Sequence, residues 1–484
     1  MANKKDANSP ATTSFNYDIM APRWSKIDAL LGGTETMRAA GVDYLPQHDN
    51  EANATYDERL AATTLFNATE LTLNTWVGKP FSEPITILDD TTPELVNLFD
   101  DLDLQGNNID VFARNWFKSG IAKAFSHVLI DFPKAMARAD GKARTLDDDR
   151  KENLRPYWIQ IEPERVLFMA SEMVNGQEML TQVRILDHVV ELDGFAEVIT
   201  PKIRVLTPGQ VDTYKKAKRK RGGKDVWQLE STETYDLGFI PFVTFYADRQ
   251  DLMLGKPPLD DLADLNITHW QSSSDQRATL TVARFPILAL SGGVDEKNKL
   301  TVGPRKWLYS PDPQSKFYYV EHKGMALKSG RDDMKDLEEQ MARYGADYMK
   351  KRVSGETATG RVLDAAEATS PLQDATNRFQ DSVNTALAMT AEWLAKEFTG
   401  GVQIHNDFGP ESDEMEGLKP LTEARKNRDI SRKTYLSELK RRDVLPEDFD
   451  IDEELGNIEQ EALTLSGAPA VELDDGEGGT EDDE

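Results

Sequence analysis

The residues that most often carry out catalysis or bind metals are few in this sequence and widely spaced. The six histidines form no pair at metal-ligand spacing; they are His48, His127, His188, His269, His322 and His405. No cysteine is present, which excludes disulfides, thiolate metal sites and thiol nucleophiles. The acidic run Asp147–Asp149 lacks the glycine and the spaced ligands of a calcium loop and is typical of a solvated loop. We therefore expect no metal ion and no cofactor.

Motifs for nucleotide hydrolysis, zinc proteolysis and serine hydrolysis are also missing. The sequence contains no GxxxxGK(S/T) phosphate loop, no HExxH zinc helix and no GxSxG nucleophile elbow. Each of these motifs can be found by inspection where an enzyme uses it. Motor and hydrolase functions therefore lose their usual support, and we expect that the protein is not an enzyme and has no catalytic residue.

One cluster of basic residues could bind nucleic acid locally. It lies between two predicted strands and comprises Lys215, Lys216, Lys218, Arg219, Lys220, Arg221 and Lys224. A solvated hairpin loop would account for the same residues. The chain as a whole carries 57 Lys and Arg against 85 Asp and Glu, a formal net charge of −28. This is the wrong sign for a protein that binds phosphates over a broad surface, so any contact with nucleic acid must be local.

The sequence predicts neither export nor a membrane span. Residues Met1–Met20 lack the apolar core of a signal peptide, and the apolar stretch Leu280–Leu290 is interrupted by Arg284 and Pro286. The length of 484 residues is sufficient for about three domains.

A helix and a β-rich region are predicted to follow a polar N-terminal arm. Thr55 and Glu58 stand at capping-box spacing and predict one long helix over Tyr56–Val77. Short β-rich runs separated by turn residues then predict a mostly antiparallel sheet domain over Ser126–Tyr246. These runs are His127–Phe132, Tyr157–Ile161, Arg165–Met169, Met179–Leu186, Lys202–Thr207, Val226–Leu229 and Pro241–Tyr246.

A second long helix is predicted over Leu259–Arg284, because no glycine or proline interrupts this stretch before Phe285-Pro286. Its turn Gln271–Arg277 is polar on every face. An ordinary surface helix carries an apolar stripe through each turn. We therefore expect this turn to face water or a neighbouring subunit, although a plain exposed helix face is the alternative.

A small β-module and a third helix follow. Two aromatic strands, Lys306–Ser310 and Phe317–Glu321, are joined through Pro311–Pro313. The third helix is predicted from about Ser329 to Arg352. Its apolar face, spaced to pack against another helix, comprises Met334, Leu337, Met341, Tyr344 and Tyr348.

The remaining chain is predicted to be helical and then disordered. Helical pattern resumes after the small polar residues Ser354–Gly360 and continues to Phe398, with a kink or restart where Ser370 and Gln373 form a capping box. Shorter helices are expected after Ser431 and over Glu447–Ala462. The acidic, glycine-containing tail is predicted to be disordered.

Several of these segments resemble portal proteins of tailed double-stranded DNA bacteriophages. The resemblance begins with YLP at Tyr44–Pro46 and YDERLAATTLFNATELTLNTWVGKPF at Tyr56–Phe81. It continues with LADLNITHWQSSSDQR at Leu262–Arg277, the most specific match, and YVEHKG at Tyr319–Gly324. It covers about Met37–Asp407 and, more loosely, the helices to Ala462. The basic run Lys215–Lys224 and the acidic tail depart from the family pattern.

The resemblance implies an α+β portal fold with a β-rich wing, two stem helices flanking a small β clip, a long kinked helix and a helical crown. The implied domains are an N-terminal arm at 1–50, the wing at 51–258, stem helices at 259–284 and 329–352, the clip at 285–328, a channel loop at 353–360, the long kinked helix and wing return at 361–410, the crown at 411–465 and the disordered tail at 466–484.

The resemblance also implies a site and partners. The channel loop and its flanks would contact DNA through Lys350, Lys351, Arg352, Ser354, Gly355, Glu356, Thr357, Thr359, Gly360 and Arg361. The clip would dock partners through Trp307, Tyr309, Phe317 and Tyr318, although these side chains could instead fill the core of the clip. The expected partners are copies of the chain in a twelve-subunit ring, the terminase large subunit, a head–tail adaptor, a major capsid or scaffolding protein, and double-stranded DNA that passes through without sequence specificity.

The implied function is a ring channel at the portal vertex of the capsid, assembled in the host cytoplasm and used for DNA packaging and ejection. One alternative is another structural protein of the phage head or tail. A more distant alternative is a hydrolase whose site the motif search does not reveal.

Overall fold

The computed structural model describes residues 9–133, 152–217, 226–284, 287–291, 314, 316–320, 325–347 and 370–406, together with parts of 408–456. The chain divides into two compact units, Met1–Asn406 and Asp407–Glu484. The first unit combines helices with small antiparallel sheets. The predicted mixed α+β class is therefore confirmed.

Four helices occupy the N-terminal region: α1 (Phe15–Leu31), α2 (Gly33–Ala40), α3 (Asn53–Ala62) and α4 (Ala68–Gly78). Helix α1 packs into the core, since Met20, Trp24, Ile27 and Leu30 are completely buried at helical spacing. The indole nitrogen of Trp24 donates a hydrogen bond to the carbonyl of Lys123 at 3.0 Å. The description of this region as a polar arm was therefore wrong for residues 15–31.

The single helix predicted over Tyr56–Val77 is divided in two. The backbone of Thr63 is extended after α3, and Asn67 begins α4 by accepting a hydrogen bond from the backbone N–H of Glu70. The prediction of one helix was wrong because Asn67 offers a strong N-cap within the helical pattern, and a side-chain cap stabilises a new helix start.

The core of the first unit is an aromatic cluster between two helices and a three-stranded sheet. Helices α5 (Pro93–Val96) and α6 (Ile109–Lys123) precede the sheet in the sequence. The strands of the sheet are β2 (Phe125–Asp131), β3 (Tyr157–Ile161) and β9 (Phe242–Tyr246), and their order is β3-β2-β9. The ring of Phe379 lies within 5.1 Å of the rings of Trp116 and Phe117, and 4.9 Å from that of Phe245.

A second sheet has five antiparallel strands in sequence order. They are β4 (Val166–Val174), β5 (Gln177–Asp193), β6 (Ala196–Thr207), β7 (Gln210–Ala217) and β8 (Val226–Thr234). The antiparallel arrangement was predicted correctly. Strand β7 was not predicted, because its residues alternate polar and apolar only weakly before the basic run begins.

Strands β5 and β6 project beyond their neighbours as a two-stranded ribbon. They pair from Val183 with Leu206 to Asp193 with Ala196. The register of β5 with β4 ends at Ile185, and that of β6 with β7 ends at Lys202. Among the described residues, no strand pairs with the outer edges of residues 188–201, and the ribbon exposes apolar side chains such as Leu192, at 76% exposure.

The remaining elements of the first unit are two long helices, a third capped helix and short strands. They are β1 (Thr86–Ile87), β10 (Arg249–Asp251), β11 (Leu254–Gly255), α7 (Asp260–Arg284), β12 (Ile287–Ser291), β13 (Lys316–Val320), α8 (Met325–Asp347), α9 (Pro371–Trp393) and β14 (Val402–Gln403). The predicted capping box of Ser370 and Gln373 is confirmed at the start of α9.

The second unit contains α10 (Arg432–Arg441), which Ser431 caps as predicted. In the part of the chain that the structure describes, no helix is long and apolar enough to cross a membrane.

Candidate stem helices and their connecting ribbon

Helices α7 and α8 form an antiparallel pair. The hydroxyl of Tyr344, near the end of α8, donates to the carbonyl of Pro258 just before α7 at 3.0 Å. Near the other end, the side-chain amide of Gln276 donates to the carbonyl of Leu327 at 2.9 Å. The start of α7 therefore lies at the end of α8, and the start of α8 contacts the C-terminal half of α7. At 1.5 Å rise per residue, the 25 residues of α7 span roughly 37 Å.

The buried face of α7 is unusually polar. Leu262, Ala263 and Trp270 are apolar and completely buried. The same face also buries Asn266, His269 and the adjacent pair Ser273 and Ser274, at successive intervals of three and four residues. Buried polar groups need hydrogen-bond partners, so these side chains indicate a specific interface with another part of the chain.

One such interface joins α7 to α3 beside a buried ion pair. The guanidinium of Arg59 lies 2.8 Å from the carboxylate of Glu51, and the two side chains are only 5% and 7% exposed. Arg59 also donates to the hydroxyl of Ser274 at 3.3 Å, and the hydroxyl of Thr63 donates to the same oxygen at 2.9 Å. The hydrogen bond from Arg59 lowers the pKa of Glu51 to about 2.

A second interface joins α7 to the beginning of α4. The side-chain oxygen of Asn266 accepts hydrogen bonds from the backbone N–H of Thr69 at 3.0 Å and from its hydroxyl at 2.9 Å. The amide nitrogen of Asn266 donates to the carbonyl of Phe66 at 2.8 Å. One buried asparagine thus satisfies a backbone carbonyl within the break between α3 and α4 and a backbone N–H at the start of α4.

These contacts correct the prediction for the polar turn Gln271–Arg277. Ser273 and Ser274 are buried within the same chain, and Gln271 donates to the carbonyl of Tyr44 at 3.0 Å. This part of the turn faces neither water nor a neighbouring subunit. The polarity of the turn is explained by hydrogen bonds to the segments that precede and contain α3, whereas Arg277 is exposed.

Helix α8 presents one packed face and one charged face. Leu337 and Met341 are buried and Met334 and Tyr344 are half-buried, as predicted; Tyr348 lies outside the described residues. The indole of Trp76 on α4 donates to the carbonyl of Gly345 at 2.9 Å. The exposed residues of α8 include Arg331, Asp332, Asp333, Lys335, Asp336, Glu338, Glu339 and Arg343. Because charges of both signs are interspersed there, the exposed face suits a solvated surface.

The chain between α7 and α8 contains a two-stranded antiparallel ribbon. Strand β12 pairs with β13 from Ile287 with Val320 to Ser291 with Lys316. Strand β13 confirms the predicted strand at 317–321 with a shift of one residue. Strand β12 was not predicted, because the apolar run that contains it follows directly from helical pattern and includes Pro286. The residues 306–310, predicted as the partner strand, lie outside the described residues.

The structure describes two of the four aromatic residues that were predicted to dock partners. Phe317 and Tyr318 are neighbours on β13, so their side chains point to opposite faces of the ribbon. Tyr318 is 51% exposed, whereas Phe317 is half-buried. Trp307 and Tyr309 lie outside the described residues.

The predicted channel-loop residues also lie outside the described residues. This holds for Lys350, Lys351, Arg352, Ser354, Gly355, Glu356, Thr357, Thr359, Gly360 and Arg361. Of the basic cluster, only Lys215 and Lys216 are described. Lys215 lies 3.4 Å from Glu230. Among the described residues, no group of three or more His, Asp or Glu side chains could hold a metal ion.

Sequence reasoning missed the polar residues that fix α7 to the N-terminal helices. Arg59, Asn266 and Ser274 lie within strings that carry the resemblance, but no spacing rule links them. Thr63 and Ser274 are 211 residues apart in the sequence. The one available signal was the full polarity of the turn at Gln271–Arg277, which indicated an unusual environment but not its partner.

One family model matches part of the chain. Residues 258–394 match a family model described as a domain of unknown function, DUF4055. No curated protein matches the chain in sequence. The matched region begins just before α7 and ends just after α9, so it contains the helix pair and its connecting ribbon.

Similar solved structures come from gene transfer agent particles. A chain in the "Virion of native gene transfer agent (GTA) particle" is 9% identical, with a TM-score of 0.39, and the match covers 78% of this chain and 90% of that chain. A chain in the "Neck of native GTA particle computed with C12 symmetry" is 9% identical, with a TM-score of 0.38, and the match covers 77% and 89%. A chain in the "Neck of empty GTA particle computed with C6 symmetry" is 11% identical, with a TM-score of 0.38, over 78% and 89%.

Proposed function

We propose that this chain is a portal subunit of a tailed bacteriophage or a related particle, and that its copies form a ring channel for DNA packaging and ejection. The observation that carries the proposal is the antiparallel pair of α7 and α8 with a β-ribbon between them. The sequence resemblance implies this order of stem helix, clip and stem helix, and its most specific string lies on α7.

The surfaces of the helix pair suit the wall of a water-filled bore. Helix α7 is fixed to α3 and α4 by hydrogen bonds, so the pair has a defined position within its subunit. Helix α8 directs mixed charges outward. A wall with a net charge like that of DNA and no extended basic surface would let a duplex slide without holding it. Such a task requires complementary surfaces between copies and no catalytic residue.

The proposed partners follow from the resemblance. They are a ring of twelve copies, the terminase large subunit that supplies packaging energy, a head–tail adaptor, a capsid or scaffolding protein, and double-stranded DNA. The protein would reside in the virion at the portal vertex after assembly in the host cytoplasm. Tyr318 on the ribbon supports a docking role for the clip, because exposed tyrosines contribute strongly to protein interfaces.

Mass measurement across a concentration series tests the proposal. We expect closed oligomers of one defined subunit number over a wide range of protein concentration, because a heterologous interface that closes by rotation saturates at a fixed number. Monomers or dimers at every concentration would contradict it.

A further inference from the structure

The second unit carries a basic surface that contrasts with the rest of the chain. Between Leu421 and Arg442 the sequence has eight Lys or Arg and three Asp or Glu, a local charge of +5 in a chain of net charge −28. The exposed members include Lys426, Arg432 and Lys433, which come before and at the start of α10. A local excess of this size attracts polyanions even when the whole protein is acidic.

Two of the basic side chains, Arg425 and Lys426, border an open concavity. It has a volume of about 710 Å³ and is lined by Thr422, Arg425, Lys426, Asp429, Ile430, Ser431 and Tyr435. The guanidinium of Arg425 donates to the carbonyl of Ile430 at 3.2 Å, which holds this side chain at the wall of the concavity. No salt bridge is found for Lys426 or Arg432 within the described residues, and both side chains are exposed. Their charges are therefore available to a ligand.

We infer that this surface binds the phosphate backbone of double-stranded DNA without sequence specificity. The inference rests on the proposed function, which brings a duplex into the ring, and extends it to a contact outside the stem helices and the channel loop. Lysine and arginine contacts to phosphate position a duplex but do not read its bases. In a ring, each copy would contribute one such surface, and together they would form a belt of positive charge around the duplex.

The test compares two charge reversals of equal size in the full-length protein. Lys426→Glu with Arg432→Glu removes the proposed contacts. Arg114→Glu with Lys118→Glu changes the charge of the chain by the same amount, but on α6 in the first unit. Binding of a short labelled duplex of mixed sequence is measured over a series of salt concentrations. Mass and thermal unfolding of the same samples report assembly and folding.

The affinity of the wild-type ring for the duplex should fall as salt rises, because each phosphate contact releases counterions. The Lys426→Glu, Arg432→Glu variant should bind about tenfold or more weakly and show a smaller salt dependence. The Arg114→Glu, Lys118→Glu variant should bind like the wild type. Equal binding by all three proteins, or equal loss in both variants, would overturn the inference while leaving the ring intact. A wild-type protein that forms no ring would instead contradict the proposed function.

Discussion

The ion pair of Arg59 and Glu51 holds the segment before α3 against α3, and Arg59 also donates a hydrogen bond to Ser274 on α7. Because the pKa of Glu51 falls from 4.5 to about 2 in the folded chain, its stabilising contribution is present above about pH 4.5 and is lost as the pH falls towards 2. Glu51→Gln should therefore lower the free energy of unfolding at neutral pH, and the difference from wild type should shrink over that acidic range. Denaturant unfolding at several pH values measures this.

The matched control for this prediction is Glu35→Gln. Glu35 pairs with Arg38 at 3.0 Å, but its side chain is 84% exposed, and exposed pairs contribute little to stability. A Glu51→Gln variant that unfolds like the wild type and like Glu35→Gln at neutral pH would show that the buried pair does not fix α7.

The exposed ring of Tyr318 is expected to contribute to partner binding. Tyr318→Ala should leave the ring intact and weaken binding of the terminase large subunit or the adaptor by roughly 1–2 kcal/mol, as removal of an interface aromatic does. Phe15→Ala removes an aromatic side chain that is 77% exposed elsewhere and should have no such effect. Equal binding by both variants in a pull-down titration would exclude Tyr318 from the docking surface.

The individual residues that fix the helices in place were only partly predictable from the sequence. The capping box at Ser370 and the apolar face of α8 were predicted correctly, since both depend on neighbours three or four residues away. The buried role of Asn266 was not predictable, because its partners Thr69 and Phe66 are 197 and 200 residues away. A polar side chain gives no sequence signal that separates a buried hydrogen bond from solvent exposure.

Among the elements, the projecting ribbon of β5 and β6 is expected to add little to the stability of the fold. Its residues 188–201 extend beyond both neighbouring strands, and Val190, Leu192 and Ile199 are exposed. An isolated two-stranded ribbon is at best marginally stable. Replacing residues 188–201 by Asn-Gly, a favoured two-residue turn, should change the free energy of unfolding by less than about 1 kcal/mol. A much larger loss would show that the ribbon stabilises the sheet.

Contact between the loop at 353–360 and DNA remains a prediction. Most residues of the loop are small, and its flanks are basic, so copies of it could contact a moving duplex transiently. Deletion of Glu356–Thr359 should leave ring assembly unchanged and reduce the length or retention of packaged DNA. Wild-type packaging and retention in that variant would indicate an ordinary connection between two helices.

Strong local signals determined which elements were predicted correctly. Helix α7 was predicted within one residue because neither glycine nor proline interrupts it. The break between α3 and α4 was missed because Asn67 lies inside a continuous helical pattern, and the cap that it forms depends on backbone geometry. Strand β12 was missed because an apolar run directly after a helix does not distinguish a strand from further helix.

The whole chain has an acidic net charge, and its first unit combines a core around Phe379 with a pair of long helices that hydrogen bonds join to the N-terminal helices. The mixed class of the fold followed from the alternation of helical and β-rich patterns. Assembly into a ring could not be derived from patterns within one chain, because the surfaces that close a ring meet only between copies. The resemblance to portal proteins supplied that expectation.

Electron microscopy of the purified protein would show directly whether its copies form a ring channel. We expect rings with a central pore, in which averaged images resolve one α7–α8 pair per subunit around the bore. Compact particles without a central hole, or rings in which these helices lie on the outer surface away from the bore, would contradict it.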